Sequence, residues 1–247
     1  MKALLIVLLL LGRCGIVKAQ DSVQQVHRMN NIKVELSHIL YPTSAIFSYE
    51  RIIKHHQSIC ISGGYEEFPP LLTVSNTVHV QENLSKNGFK AGAEYRFYLK
   101  MENKQYAPHG VYIGPYIAYH YFNNIRNMEV EFDGINEQAE LASLFKILNV
   151  GFQLGYQFVI KNRLTFDFVL VGPSMSNYNA SLKLNGDYNF DKNDVENEVL
   201  LKLLDSFPML DKLLAEKEVD SNGRFDAWSL GWRYQFLIGF QLGKKRK

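Results

Sequence analysis

The chain has 247 residues, with 27 Lys and Arg against 25 Asp and Glu, a net charge of +2, and 47% apolar residues. So balanced a charge excludes a general nucleic-acid binder, and a mature length of about 230 residues allows one β-domain or two smaller domains. The 2 cysteines are Cys14 and Cys60; removal of an N-terminal leader takes Cys14 away and excludes an intramolecular disulfide.

The leader comes first in chain order. Lys2 is followed by an unbroken apolar run, 3–11, and then by a more polar stretch ending Val17-Lys18-Ala19. This is the pattern of a secretory signal peptide over 1–19, with cleavage after Ala19 and a mature start at Gln20. The apolar run is too short for a membrane-crossing helix, which needs about 20 residues. A lipoprotein start at Cys14 competes, but Arg13 occupies the place of the small residue that should precede the cysteine. No later segment is long and apolar enough for a transmembrane helix, so a membrane form of this chain has to be a barrel.

Eight strands are predicted, over about 32–40, 44–53, 57–66, 88–100, 109–122, 146–160, 163–176 and 227–243. The last is the clearest: Trp228, Leu230, Trp232, Tyr234, Phe236, Ile238, Phe240 and Leu242 alternate with Ser229, Gly231, Arg233, Gln235, Gly239 and Gln241, with Leu237 out of place. Leu148, Val150, Phe152, Leu154, Tyr156 and Phe158 alternate likewise with Asn149, Gly151, Gln153, Gly155 and Gln157. Phe89, Ala91, Ala93, Tyr95, Phe97 and Leu99 alternate with Lys90, Gly92, Glu94, Arg96 and Lys100. In these strands small and charged residues oppose the bulky apolar ones, which suits a barrel with lipid outside and a polar lumen inside. Tyr119, Tyr121, Phe122, Trp228 and Trp232 suit an interfacial girdle. Connections alternate short (54–56, 100–108, 161–162) and long (67–87, 123–145, 177–226), the asymmetry of periplasmic turns and extracellular loops; the tight 41–43 is the exception. An even strand count places both termini in the periplasm. Gly114-Pro115 and Gly172-Pro173 fall inside strands, where a proline cannot donate to the ladder, and predict bulges or kinks.

Three phrases carry a family resemblance: Phe47-Ser48-Tyr49-Glu50-Arg51, the stretch 88–99 (GFKAGAEYRFYL), and 110–119 (GVYIGPYIAY). Over about 44–242 the chain resembles the small outer-membrane β-barrel proteins of unknown function, similar in architecture to OmpA and OmpX barrels. The resemblance implies an eight-stranded up-and-down barrel in a cell outer membrane. Its partners would be outer-membrane lipids and the insertion machinery met during assembly. It brings no activity, catalytic residue or cofactor. Such barrels often end on an aromatic residue read during insertion, whereas here Phe240 is followed by 241–247, so the insertion signal would be internal.

An eight-stranded barrel is just wide enough for its own side chains. Parity points Glu50, Glu94, Arg96, Asp167 and Arg233 inward, where charges persist only when paired, and they read as a structural ion-pair network. His120 points inward as a satisfied core histidine. No Gly-x-Ser-x-Gly, His-Glu-x-x-His, phosphate-binding glycine loop or metal-spaced cysteine pair occurs, so no catalytic, cofactor or metal residue is assigned. His56-Gln57-Ser58 resembles the His-x-Ser pair of some lipid A deacylases but falls at a periplasmic turn. The adjacent His55 and His56 face opposite ways on a strand and make a poor metal site.

The segment 194–218 turns to helical spacing, with Val195, Val199 and Leu203 on one line and Leu200, Leu204 and Phe207 beside it. This predicts a helical hairpin in an extracellular loop, either a lid over the barrel mouth or a face for an envelope protein partner. A second helix is expected over 136–147. The reading is a non-enzymatic outer-membrane barrel, 20–247, with a structural or loop-mediated binding role. A lipid A-modifying enzyme and a soluble periplasmic lipid-binding barrel are the alternatives.

Overall fold

Side chains point alternately to the two faces of a strand, so a chain whose strands carry one apolar and one polar face must give each face its own surroundings. The computed structural model describes residues 28–37, 44–67, 78–100, 106–132, 135–161, 163–185 and 224–243. Its eight strands are β1 (Asn30–Glu35), β2 (Ala45–Lys54), β3 (Gln57–Tyr65), β4 (Val78–Tyr98), β5 (Gly110–Phe132), β6 (Ile135–Ile160), β7 (Leu164–Asn185) and β8 (Arg224–Leu242). Each pairs with the next, and β8 returns antiparallel to β1 to close the barrel. Over Asn30–Glu35 and Leu237–Leu242 this closure satisfies the backbone groups that an open sheet would leave at its edges.

The ends of the barrel differ. β2 runs into β3 across 55–56 and β6 into β7 across 161–163 at the turn end, where β1 begins and β8 finishes. There Ala107 N–H donates to His55 O and Gln241 N–H to Arg163 O, each at 2.8 Å. At the other end the wall is uneven: β5 and β6 continue to Phe132 and Ile135, far beyond the end of β3 at Tyr65.

The outer face changes polarity along this tall wall. On β6, Leu148, Val150, Phe152 and Leu154 point outward while Asn149, Gly151, Gln153 and Gly155 point inward; further up, Lys146 points outward and Leu141, Phe145 and Ile147 are buried inside. On β7 the outward series changes from Met175 to Asn177, Asn179, Ser181 and Lys183, while Tyr178 and Ala180 fill the interior. On β8 the outward series is Arg224 and Asp226, then Trp228 and Leu230, over Phe225 and Ala227 inside. The change falls within two adjacent ladder rows: Tyr121, Lys146, Asn179 and Asp226 form one row across β5 to β8, and Tyr119, Leu148, Asn177 and Trp228 form the next, in which Asn177 is already polar. Below it the outer face is apolar, and a second aromatic band stacks near the turn end: Phe158 on Phe166 at 5.1 Å and Phe168 on Phe236 at 4.7 Å.

Several expectations are corrected. The helix over 136–147 does not form, since Ile135–Ile160 is one strand paired residue for residue with β5. Leu141, Leu144, Phe145 and Leu148 have helical spacing because apolar residues occupy both faces of β6 here, Leu141 and Phe145 inside and Leu144 and Leu148 outside. Much of the predicted long connections 67–87, 123–145 and 177–226 is strand as well. The first strand lies earlier and is shorter than 32–40. Phe122 does not join a girdle: it is turned inside and is 5% exposed. Pro173 follows a one-residue bulge in β7, which leaves Leu170 and Val171 both exposed outside, but β5 passes Pro115 with no shift of register against β6. The proposed leader 1–19, the hairpin 194–218 and the basic tail 244–247 lie outside the described residues.

Tyr112 pairs across the ladder with Gly155, and a Cβ on Gly155 would lie 2.3 Å from the Tyr112 ring. Gly155→Val forces this fully buried ring aside and is expected to cost about 1–3 kcal/mol. A lowered urea midpoint of the folded barrel checks this; an unchanged midpoint contradicts the close packing.

Candidate functional site

A polar interior has to supply partners for every charge it buries. In the turn-end half of the barrel each strand contributes. Lys33 comes from β1, Glu50 from β2, Ser58 from β3, Glu94 and Arg96 from β4, Tyr112 from β5, Gln153 and Gln157 from β6, Asp167 from β7 and Arg233 from β8. Lys33, Glu50, Ser58, Arg96, Tyr112, Gln157 and Asp167 are all fully buried.

Three cations meet three carboxylates. Lys33 Nζ lies 2.5 Å from Asp167 Oδ2 and 2.9 Å from Glu50 Oε2. Arg96 holds Asp167 Oδ2 at 2.6 Å through Nη1 and Glu94 Oε2 at 2.7 Å through Nη2. Arg233 Nη2 donates to Glu94 Oε1 and to Gln153 Oε1, and its guanidinium lies 3.9 Å over the Tyr116 ring. The charges therefore cancel locally, the condition under which ionised groups persist out of water.

Neutral donors complete the carboxylates. Glu50 Oε1 accepts from Ser58 Oγ at 2.6 Å and Tyr98 OH at 2.8 Å, and its Oε2 accepts from Gln157 Nε2 at 3.1 Å. Asp167 Oδ1 accepts from Tyr112 OH at 2.7 Å, and Glu94 Oε2 accepts from Gln153 Nε2 at 2.9 Å. Every carboxylate oxygen of the cluster is engaged, which fixes its shape and fills the lumen at this level. A smaller pair sits nearer the open end, Lys90 Nζ on Glu35 Oε2 at 3.0 Å with Gln235 Nε2 donating to the same oxygen.

All five charged residues singled out in the sequence, Glu50, Glu94, Arg96, Asp167 and Arg233, point into the lumen and join in this cluster. Sequence reasoning missed Lys33, whose parity against Ile32 and Val34 carried the signal, and the tyrosines and glutamines that finish the hydrogen bonding. His120 shares the inward parity of Ala118 and Phe122 and is partnered, with Nδ1 2.6 Å from Glu66 Oε2. The His56-Gln57-Ser58 residues separate: Ser58 points inward onto Glu50, Gln57 Oε1 accepts from Tyr95 OH at 2.9 Å, and His56 sits at the turn. His55 and His56 both pack on Tyr106, with ring centroids 4.6 Å and 5.5 Å away. Burial, with Lys100 and His55 nearby, holds His56 below the usual histidine range. The candidate loop face, Val195, Val199, Leu200, Leu203, Leu204 and Phe207, lies outside the described residues.

No family model, curated protein or solved structure matches the chain.

Arg96→Met leaves three buried carboxylates facing two cations and is expected to destabilise the barrel by about 3–5 kcal/mol. Lys54→Ala, at an exposed position, should stay within about 0.5 kcal/mol. Equal urea midpoints for the two variants would contradict the role given to the cluster.

Proposed function

We propose that the protein is a non-enzymatic integral outer-membrane β-barrel. In this reading a leader over 1–19 is removed on export, 20–247 form the barrel domain, and both termini face the periplasm. Its role in the envelope is structural or loop-mediated: the helical insertion over 194–218 in an extracellular loop either folds over the barrel mouth as a lid or binds an envelope protein partner. Outer-membrane lipids surround the barrel, and the insertion machinery receives it during assembly.

The observation that carries this reading is the change of the outer face of β6 to β8 from apolar to polar within two adjacent ladder rows. A soluble sheet buries its apolar face along its whole length, whereas here the outer face is apolar below Trp228 and Leu148, and above them β6 to β8 turn Lys146, Asn179, Lys183, Arg224 and Asp226 outward over Phe145, Tyr178 and Phe225 inside. Passage from hydrocarbon into water accounts for both halves with one barrel. The twelve residues between positions 228 and 240 on β8 rise about 40 Å along the strand, or about 30 Å along the axis of a barrel whose strands tilt by ~40°. That is near the ~25 Å apolar band of outer-membrane barrels.

The exposed groups are also too large for a water-soluble wall. Phe152 is 67% exposed, Trp232 63% and Tyr234 77%. At about 150–250 Å² per aromatic side chain, a few such groups match the ~300–600 Å² of the largest apolar patch on a typical soluble monomer. The saturated lumen favours a structural over a catalytic or conducting interior, since its carboxylates carry their full set of donors. Among the described residues no helix is long and apolar enough to cross a membrane, which leaves crossing by strands untouched.

Envelope fractions of expressing cells should release the protein only with detergent, and its gel mobility should change on boiling. A buffer-soluble protein with no change of mobility would overturn the membrane reading. Within vesicles, Leu154→Arg at the middle of the apolar band should cost about 2–4 kcal/mol, while Asn127→Arg above the polarity change should cost no more than about 0.5 kcal/mol. Equal costs would contradict the assigned boundary.

A further inference from the structure

The upper wall carries a groove of about 620 Å³ where β5 to β8 rise beyond the aromatic row. Most of its lining has outward parity, the polar Asn123, Asn179, Ser181, Lys183, Arg224 and Asp226 standing beside the apolar Ala142 and Leu144. The ladder sets their heights. Asn179 faces Asp226 in the lowest row, Ser181 faces Arg224 in the next, and Lys183 lies one row higher beside Ala142. Trp228 is one row below Asp226 on the same face, so the groove opens about 7 Å along β8 from this indole, or about 5 Å along the axis of a barrel whose strands tilt by ~40°.

Its chemistry is divided. Lys183 and Arg224 are exposed cations at the top, and Lys146, beside Asn179 in the bottom row, adds a third on the same outer face. Asp226 at the bottom is held by two amides, with Asn177 Nδ2 donating to Oδ1 and Asn179 Nδ2 to Oδ2, both at 3.0 Å. Further up β6, Glu140 accepts from Asn185 Nδ2 at 3.3 Å. Guanidinium and ammonium groups suit phosphate oxygens, while an oriented carboxylate and hydroxyl-bearing Ser181 suit sugar hydroxyls. A ligand with phosphate and sugar together matches both halves, and the height of the groove matches the headgroup layer outside a hydrocarbon core.

We propose that this groove holds the phosphorylated sugar headgroup of an outer-leaflet glycolipid, with its acyl chains lying down the apolar outer face past Trp228 and Leu230. The assignment rests on the membrane reading above. Lys183 and Arg224 bind the phosphate, Asp226 accepts from a sugar hydroxyl, and the site ties the barrel to one leaflet and fixes its depth.

The test uses the folded full-length barrel in detergent, with native mass spectrometry counting retained lipid. Bis-phosphorylated lipid A, its dephosphorylated form and phosphatidylglycerol are the probes. The bis-phosphorylated glycolipid should be retained, and binding should weaken about tenfold either when its phosphates are removed or in the Lys183→Gln/Arg224→Gln double variant. Phosphatidylglycerol, with phosphate but no sugar, should not displace it. Equal retention by the double variant, or equal competition by phosphatidylglycerol, overturns the proposal. The same preparations are first scored for the mobility change on boiling. A protein without that change fails the membrane reading itself, whereas a folded barrel that shows no lipid preference fails this inference alone.

Discussion

Closing eight strands into a ring creates an interior that must be filled from within, and in this protein the filling is ionic. Arg96 stands between Asp167 and Glu94 while Lys33 joins Asp167 to Glu50, so the strands that meet at the closure, β1 and β8, are tied into the same cluster through Lys33 and Arg233. The cluster is neutral, with three cations for three carboxylates, and removing any one member would strand a buried charge. That condition restricts the inward positions of the turn-end half far more than it restricts the outward ones, which need only be apolar.

In the upper wall the outer face of β6 to β8 turns polar, while the interior mixes aromatic residues with Asn124, Arg126 and Ser143. Phe122, Phe145, Tyr178 and Phe225 pack inside where the outer face has become polar. A strand that runs into this upper wall changes the character of its outward residues. β6 does so between Lys146 and Leu148, β7 between Met175 and Asn177, and β8 between Asp226 and Trp228. In the membrane reading this level is the edge of the hydrocarbon, and the groove with Lys183, Arg224 and Asp226 lies in the adjoining headgroup layer. One barrel then combines a locked lower interior, an apolar belt and a polar upper wall.

The lower half was legible in the sequence because its rule is simple. Over 148–158, and over 228–242 apart from Leu237, the apolar residues hold one parity, and the charges of the opposite parity, Glu94, Arg96, Asp167 and Arg233, fall inside by the same count. The upper half was not legible, because the change of the outer face breaks the pattern that identifies a strand. Around Ile147 apolar residues fall on both faces and mimic a helix, and around Tyr178 a polar outer face makes a strand read as polar loop. The dipeptide Asp133-Gly134, between two alternating runs, was the local signal of a hairpin, but it carries weight only once those runs are read as strands. Lys33 was missed for a different reason: β1 is a strand of 6 residues, too short for alternation alone to fix its limits. The partners of the carboxylates, Tyr98, Tyr112, Gln153 and Gln157, depend on the register of distant strands, which parity does not specify.

The boundary at Lys146 and Leu148 is the claim on which the membrane assignment turns. Nitroxide labels placed singly at the outward positions of β6 from 142 to 158, with Cys60 replaced by serine, can be read in lipid vesicles against an oxygen-like lipid-soluble relaxant and a water-soluble chelate. The account predicts that the chelate reaches labels at 142, 144 and 146 and that the lipid-soluble relaxant dominates from 148 downward. Equal access of the chelate to every position would contradict it.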